Sequence, residues 1–153
     1  MNLRRAAASD VTAITALQHA AYAPNRPLLG VEPLPLLCDY AAILNDYEIW
    51  LSEDARGLDG VLVLRPRVDD LLVWSVATAP VAQGRGVGKR LLAAAEARAA
   101  ELGLNTLRLY TGEPLTGNIA WYERTGYVRE SVEQLSDRRL VHMVKRLTGS
   151  TKH

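Results

Sequence analysis

The sequence predicts a single α/β domain, residues 1–153, on a mixed, mostly antiparallel central sheet of about seven strands with helices on both faces. Three observations lead there. Strand-like and helix-like runs alternate along the chain. Hairpin-like strand pairs stand at both ends of the series, as antiparallel pairing requires. In the middle, one glycine-rich turn joins an apolar strand to a long helical run. The size agrees, because 153 residues supply one real core and too little chain for two. With 48% hydrophobic and 23% charged residues, the composition is that of an ordinary globular protein.

The elements follow in order. Leu3 to Ala6 reads as a short first strand. Ser9-Asp10 offers a cap and an early acid for a helix, and Val11, Ile14, Leu17 and Ala21 recur at helical spacing to Tyr22. Ala23 to Pro35 holds Pro24, Pro27, Gly30, Pro33 and Pro35 and reads as a loop long enough to be functional. A second helix is expected over Leu36 to Asn45, then strands over Glu48 to Ser52 and Gly60 to Arg65, the latter buried on both faces by its Val61-Leu-Val-Leu64 pattern. Leu71 to Thr78 is the next strand. The helix from Lys89 to Glu101 turns Leu91, Leu92, Ala95, Ala99 and Leu102 inward and Arg98 and Glu101 outward, and Gly103 stops it. Thr106 to Tyr110 alternates as a strand, Thr111 to Gly117 is a loop, and a short helix starts at Asn118. Tyr127 to Leu135 and Arg139 to Leu147 read as a closing antiparallel pair, and Thr148 to His153 as a frayed polar tail.

Composition narrows the function classes. A net charge of +1 from 18 basic and 17 acidic residues argues against broad nucleic-acid binding. No apolar run approaches the roughly 18–20 residues of a membrane span, and the Met1-Asn-Leu-Arg-Arg5 start lacks the apolar segment of a signal peptide. Cys38 is the only cysteine, so an internal disulfide is impossible and a reducing cytoplasm fits. The chain has no phenylalanine; six Tyr and three Trp supply its aromatic volume.

The turn Gln83-Gly-Arg-Gly-Val-Gly-Lys89 is the richest segment. A glycine turn at a helix N-terminus aims backbone N–H groups and the positive end of the helix dipole at one point, which suits a phosphate or pyrophosphate. A dinucleotide fingerprint needs G-x-G-x-x-G, whereas Gly84, Gly86 and Gly88 alternate, and Leu104 to Leu109 offers no acidic ribose partner. A P-loop needs four residues before its Gly-Lys and a hydroxyl after it; here there are three, and Arg90 follows Lys89. What remains, Gln83-x-x-Gly86-x-Gly88 after a strand, resembles the pyrophosphate motif of the GNAT N-acetyltransferase superfamily, which binds acetyl-CoA. A second segment, Asn118-Ile-Ala-Trp-Tyr-Glu-Arg-Thr-Gly-Tyr127, looks like that family's other motif. Asn118 and Tyr122 share a helix face, and Gly126 suits the left-handed position that ends a helix.

The resemblance, spanning Leu3 to about Leu147, implies the acyl-CoA N-acyltransferase fold and direct transfer of an acetyl group to a primary amine within a ternary complex. The acceptor is a small-molecule amine or a peptide or protein amine. No metal, nucleic acid or membrane is expected. The N–H groups of Gly84, Arg85, Gly86, Val87, Gly88 and Lys89, with Gln83, would hold the coenzyme's phosphates, while Arg85, Lys89 and Arg90 supply charge. The free strand edge at Ala77 and Thr78 would pair with the pantetheine arm, although the family commonly has a β-branched apolar residue where this chain has Thr78. Asn118 would orient the coenzyme or Tyr122; Gly117 stands where a hydrogen-bonding side chain often precedes it. Tyr122 would be the general acid, since a phenol near pKa ~10 is protonated at neutral pH. No base is assigned: Glu32, Glu113, Asp39, Asp46 and water stay open. Trp121, Tyr127 and Cys38 read as core, His142 as a half-buried strand residue, and Arg138, Arg139, Lys145 and Arg146 as solvated edge charges. The family often dimerises, and an uncovered sheet edge points to a homodimer. The competing reading is a non-catalytic acyl-CoA-binding sensor or regulatory module on the same fold.

Overall fold

The computed structural model describes residues 3–147; the expected frayed tail, Thr148 to His153, lies outside them. The chain runs through β1 (Arg4–Arg5), α1 (Val11–Tyr22), α2 (Arg26–Leu29), α3 (Tyr40–Asp46), β2 (Glu48–Asp54), β3 (Gly57–Pro66), β4 (Leu71–Thr78), α4 (Val87–Glu101), β5 (Thr106–Gly112), α5 (Thr116–Arg124), β6 (Val128–Gln134) and β7 (Arg139–Arg146). The seven strands lie in the order β1-β2-β3-β4-β5-β7-β6. Every neighbouring pair is antiparallel except β4 and β5, which α4 connects. The mixed, mostly antiparallel sheet expected from the sequence is therefore present.

Strand alternation shows that helices cover both faces. Gly60 and Val63 of β3 point to opposite faces because they are an odd number of residues apart. A Cβ on Gly60 would lie 2.8 Å from Val87 and 3.2 Å from Leu91, so α4 packs on that face. Val63 pairs with Ser75, which accepts a hydrogen bond from Gln18 of α1, so α1 packs on the other. Val61, Leu62, Val63 and Leu64, at 0% exposure, form the middle of the core, as their unbroken apolar pattern predicts.

Several boundaries differ, each for a local reason. The Ala23–Pro35 segment is a series of tight helical turns rather than an irregular loop: Ala23–Asn25, α2 and Leu34–Leu36. Pro24, Pro27 and Pro35 each occupy a first-turn position, where a missing N–H costs nothing. The helix expected from Leu36 starts at Tyr40, because the Asp39 carboxylate accepts the Ala41 N–H at 3.0 Å and caps it there. The β2–β3 hairpin closes tightly around Ala55-Arg56, with the Asp54 carboxylate accepting the Arg56 N–H at 2.7 Å. On α4, Leu102 is 37% exposed rather than buried, since the chain turns away at Gly103 (φ 73°). Arg98, expected outward, instead lies against the sheet: it grips Glu48 with two 2.9 Å hydrogen bonds and sits over Trp50.

One feature of the sheet positions everything that follows. β4 and β5 pair only at Leu71↔Leu107 and Leu72↔Arg108, then diverge. Trp74 is an extra residue in β4, bulged between the Val63↔Ser75 and Leu64↔Val73 pairs. At the closed end, Asp70 accepts from Arg67 at 2.6 and 2.9 Å and from Arg108 at 2.8 Å, and Arg108 reaches on to Glu130 at 3.0 Å.

Candidate active site

The glycine turn sits at the open end of the splayed strands. Gly84 and Gly86 take φ values of +84° and +79°, left-handed backbone that other residues adopt only at a cost. Gly86 is the N-cap of α4, and no side chain caps that helix. The first turn of α4 therefore leaves the N–H groups of Val87, Gly88 and Lys89 without intrahelical acceptors, at the positive end of the helix. Gly88 serves packing: a Cβ there would lie 3.1 Å from the Trp121 ring of α5, which roofs this turn. Gly60 serves it from below, letting Val87 descend onto β3.

A cleft of about 760 Å³ opens here. Ala77, Thr78, Gln83, Gly84, Gly86, Val87, Gly88, Lys89 and Asn118 all line it, so residues from the two sequence motifs meet at one cleft. Arg85 is exposed beside the cleft and does not line it. Arg90 is drawn aside; its guanidinium donates to the Arg85 carbonyl at 3.3 Å and lies 4.0 Å from the Asp59 carboxylate. The opposite wall is the C-terminal end of α1, with Ala20, Ala21 and Tyr22, which the sequence did not suggest.

A smaller chamber of about 140 Å³ adjoins the cleft; Tyr22, Asn25, Val76, Asn118 and Trp121 line both. Tyr122 faces the chamber, its ring 5.1 Å from Trp121 and 5.9 Å from Tyr127. Burial pushes its phenol well above the ordinary tyrosine range. Its hydroxyl has no hydrogen-bond partner among the described residues. It is thus a protonated donor with its hydrogen uncommitted. The segment from Asn25 to Pro35 contributes Leu29, Pro33 and Leu34 to the chamber walls, while α3 contributes none.

Behind the chamber lies a polar chain that sequence reasoning missed. The Tyr22 hydroxyl is 2.8 Å from Ser75 Oγ and 3.3 Å from the Val76 carbonyl. The Gln18 amide donates to Ser75 Oγ at 3.0 Å and to the Tyr40 hydroxyl at 2.8 Å, and Tyr40 donates to the Pro35 carbonyl at 2.7 Å. These bonds pin α1 and α3 to β4 at the start of the splay. The available signal was Gln18 itself, a polar residue on the apolar stripe of α1 and 0% exposed.

The remaining candidates separate clearly. Glu32 is ion-paired with Arg26 at 2.5 Å, and Arg26's hydrogen bonding holds its carboxyl below the usual range. Glu113 pairs with Arg139 at 3.1 Å, Asp39 caps α3, and Asp46 lies exposed at that helix's end. None of the four lines the cleft or the chamber. His142 is half-buried, 2.8 Å from the Glu133 carboxylate. Cys38 is half-buried beside the Leu34 carbonyl, and burial pushes its thiol up, away from thiolate character. Tyr127 is core, at 1% exposure. Two of the expected edge charges are not solvated. The Arg138 side chain is 8% exposed, paired with Asp137 and donating to the Glu32 carbonyl at 2.8 Å, so it ties the β6–β7 turn to the segment after α2 and lines the chamber. Lys145 donates to Glu96 and to the Thr125 carbonyl, crossing under Gly126. Among the described residues no cluster of His, Cys, Asp or Glu could hold a metal, and no helix is long and apolar enough to cross a membrane.

The model of the acetyltransferase (GNAT) family matches residues 14–127 of this chain. No curated protein matches the sequence at a significant level. Solved structures with the same fold include the ribosomal-protein-S18-alanine N-acetyltransferase from Escherichia coli, with 16% identity, a TM-score of 0.78, and 99% of this chain and 97% of that one covered. The PaiA N-acetyltransferase from Thermoplasma acidophilum in complex with coenzyme A has 14% identity and a TM-score of 0.77 over 95% of this chain and 98% of that one. A GNAT family acetyltransferase from Elizabethkingia anophelis with acetyl-CoA bound has 17% identity and a TM-score of 0.72 over 95% and 97%. At these identities the likeness establishes the fold.

Proposed function

This chain belongs to the acetyltransferase (GNAT) family and is an acetyl-CoA-dependent N-acetyltransferase; we propose that its cleft holds the coenzyme and its chamber the acceptor amine. The observation that carries this is the uncapped first turn of α4, set between two left-handed glycines and the open end of the β4–β5 splay. The site fits the coenzyme on its own geometry. Free N–H groups at a helix terminus suit a pyrophosphate, and the cleft continues past the β4 edge that β5 leaves unpaired. Acetyl-CoA, when bound, supplies the acetyl group as a thioester.

Each residue then has a separate task. Gly84, Gly86, Val87, Gly88 and Lys89 hold phosphate oxygens through backbone N–H groups, with the Lys89 and Arg85 charges beside them. Ala77 and Thr78 offer the open β4 edge to the pantetheine arm, strand against strand. Asn118, at the junction of cleft and chamber, orients what spans the two. Tyr122 donates the proton that the leaving thiolate needs. Among the described residues no carboxylate lines the chamber to act as base, so water takes the amine's proton. The protein works in the cytoplasm, where lone Cys38 stays reduced, as a homodimer joined along its exposed β6 edge.

Gly86→Asp tests the phosphate turn. It forces a side chain onto left-handed backbone, and its carboxylate both caps the free N–H groups and repels phosphate. Calorimetry is expected to show acetyl-CoA affinity falling at least about tenfold, or ~1.4 kcal/mol, with the far-ultraviolet circular dichroism unchanged. Undiminished affinity removes the turn from the coenzyme site. Wild-type binding without turnover on any amine leaves an acyl-CoA-binding module instead of an enzyme.

A further inference from the structure

We propose that the acceptor is a primary monoamine with an aromatic or similarly apolar body, admitted to the chamber as its uncharged free base; this rests on the assignment of the chamber to the amine. The walls carry the argument. Tyr22, Trp74, Tyr110 and Tyr122 supply rings, and Leu29 and Leu140 close the space between them. Among the described residues lining the chamber there is no carboxylate. The acids around its rim are already engaged: Glu32 with Arg26, Asp137 with Arg138, Glu113 with Arg139 and Glu133 with His142. Among the described residues the one charged side chain on the wall is Arg138, a cation that Asp137 already neutralises.

This inventory discriminates among amines. An ammonium taken into a half-enclosed apolar space without a counter-charge loses its hydration and gains only the ring faces in return. A second ammonium, as in a diamine, polyamine, aminoglycoside or basic peptide, finds no free counter-charge on the walls, because the Arg138 guanidinium already holds the Asp137 carboxylate through two 3.0 Å hydrogen bonds. A flat apolar body loses nothing by leaving water and stacks against the rings. The neutral amine then attacks: the new C–N bond forms as the C–S bond of the thioester breaks, the amine's surplus proton goes to water, the thiolate takes a proton from Tyr122, and the Tyr122 phenolate regains one from water. With no protein base on the walls, the rising limb of the pH–rate profile belongs to the substrate.

The test uses wild-type enzyme, saturating acetyl-CoA and release of free thiol. The acceptors are 2-phenylethylamine, 1,4-diaminobutane and a lysine-containing basic peptide. The aromatic monoamine is expected to exceed both others in kcat/KM by at least about tenfold. Replacing it with a less basic ring-substituted benzylamine is expected to move the pH profile down by the difference in the amines' own pKa values. Calorimetry of 2-phenylethylamine against the enzyme–coenzyme A complex gives a readout apart from turnover, and saturable binding is expected. Leu29→Glu places a carboxylate on the wall and is expected to narrow the preference at least about threefold, with unchanged acetyl-CoA affinity reporting that the variant folds; Leu34→Glu is the second such variant. Equal or better turnover of the diamine or peptide overturns the inference while leaving acetyl transfer intact. A pH profile that stays fixed when the amine changes overturns the free-base part of it. Absence of acetyl-CoA binding overturns the parent reading itself.

Discussion

Tyr122 and Tyr22 face the same chamber with opposite hydrogen-bonding situations. Tyr22 is held by Ser75 and the Val76 carbonyl, whereas the Tyr122 hydroxyl has no partner among the described residues. A donor kept free in the resting protein reaches a ligand without first breaking a bond, and this favours Tyr122 as the acid. Its raised pKa keeps it protonated across the neutral range but makes full proton release uphill toward a thiol near pKa ~8.5. Tyr122→Phe keeps the ring and its packing on Trp121 and Tyr127. It is expected to lower kcat by about 10²-fold with acetyl-CoA affinity unchanged by calorimetry; wild-type kcat on an amine whose chemical step limits turnover excludes the role. At this scale the sequence was legible where chemistry is local. Gly84, Gly86, Asn118 and Tyr122 stand out because their spacing along one turn or one helix already defines a geometry. Gln18, Ser75 and Arg138 did not, because their significance comes from partners 57 and 106 residues away in the chain.

The β4–β5 splay is opened by packing and held by charge. Trp74 bulges from β4, and Trp121 seats on Gly88 beyond the last shared hydrogen bonds. At the other end Asp70, 5% exposed, binds Arg67 and Arg108 together. Burial pushes the Asp70 carboxyl up, but hydrogen bonds from the two arginines outweigh it and the net shift is downward. A depressed carboxyl contributes stability that is complete above its unfolded value, ~3.9, and is lost as pH falls through the folded one. Asp70→Asn is therefore expected to lower stability by about 1–3 kcal/mol near neutral pH, and its Tm deficit is expected to shrink as thermal melts are moved from pH 7 to below 4. A deficit that stays constant with pH rules out the carboxylate as the clamp. The glycine turn and helix periodicity announced the strand–helix–strand unit around α4. The divergence of the strands was not written in any local pattern, and it entered only through the family resemblance. The helical turns of the Ala23–Pro35 segment were hidden because proline marks loops and first helical turns alike.

The whole molecule has two unequal edges. β1 is two residues long, too short to recruit a partner. β6 is seven residues, every one exposed, with Val128 at 58% and Val132 at 50%. Arg129, Glu130 and Glu133 interrupt this surface with charge, which selects for a partner of matching pattern, and an identical copy related by a two-fold axis supplies one. Light scattering at micromolar concentration is expected to return twice the 16.8 kDa of one chain. A value of 16.8 kDa rejects the homodimer.

In the strand ladder only two residue pairs join β4 to β5, with the Asp70–Arg108 ion pair and the common core tying the two halves together. The sheet is in effect two leaves on a short spine, and the seam between them runs through the middle of the molecule. In most sheets the central strands are the last to yield. Here the outer half of β4, between its neighbours in sheet order, keeps one side of its backbone open. A ligand laid along that side acts as a missing strand. It would supply the backbone hydrogen bonds that β5 withholds from this half of β4.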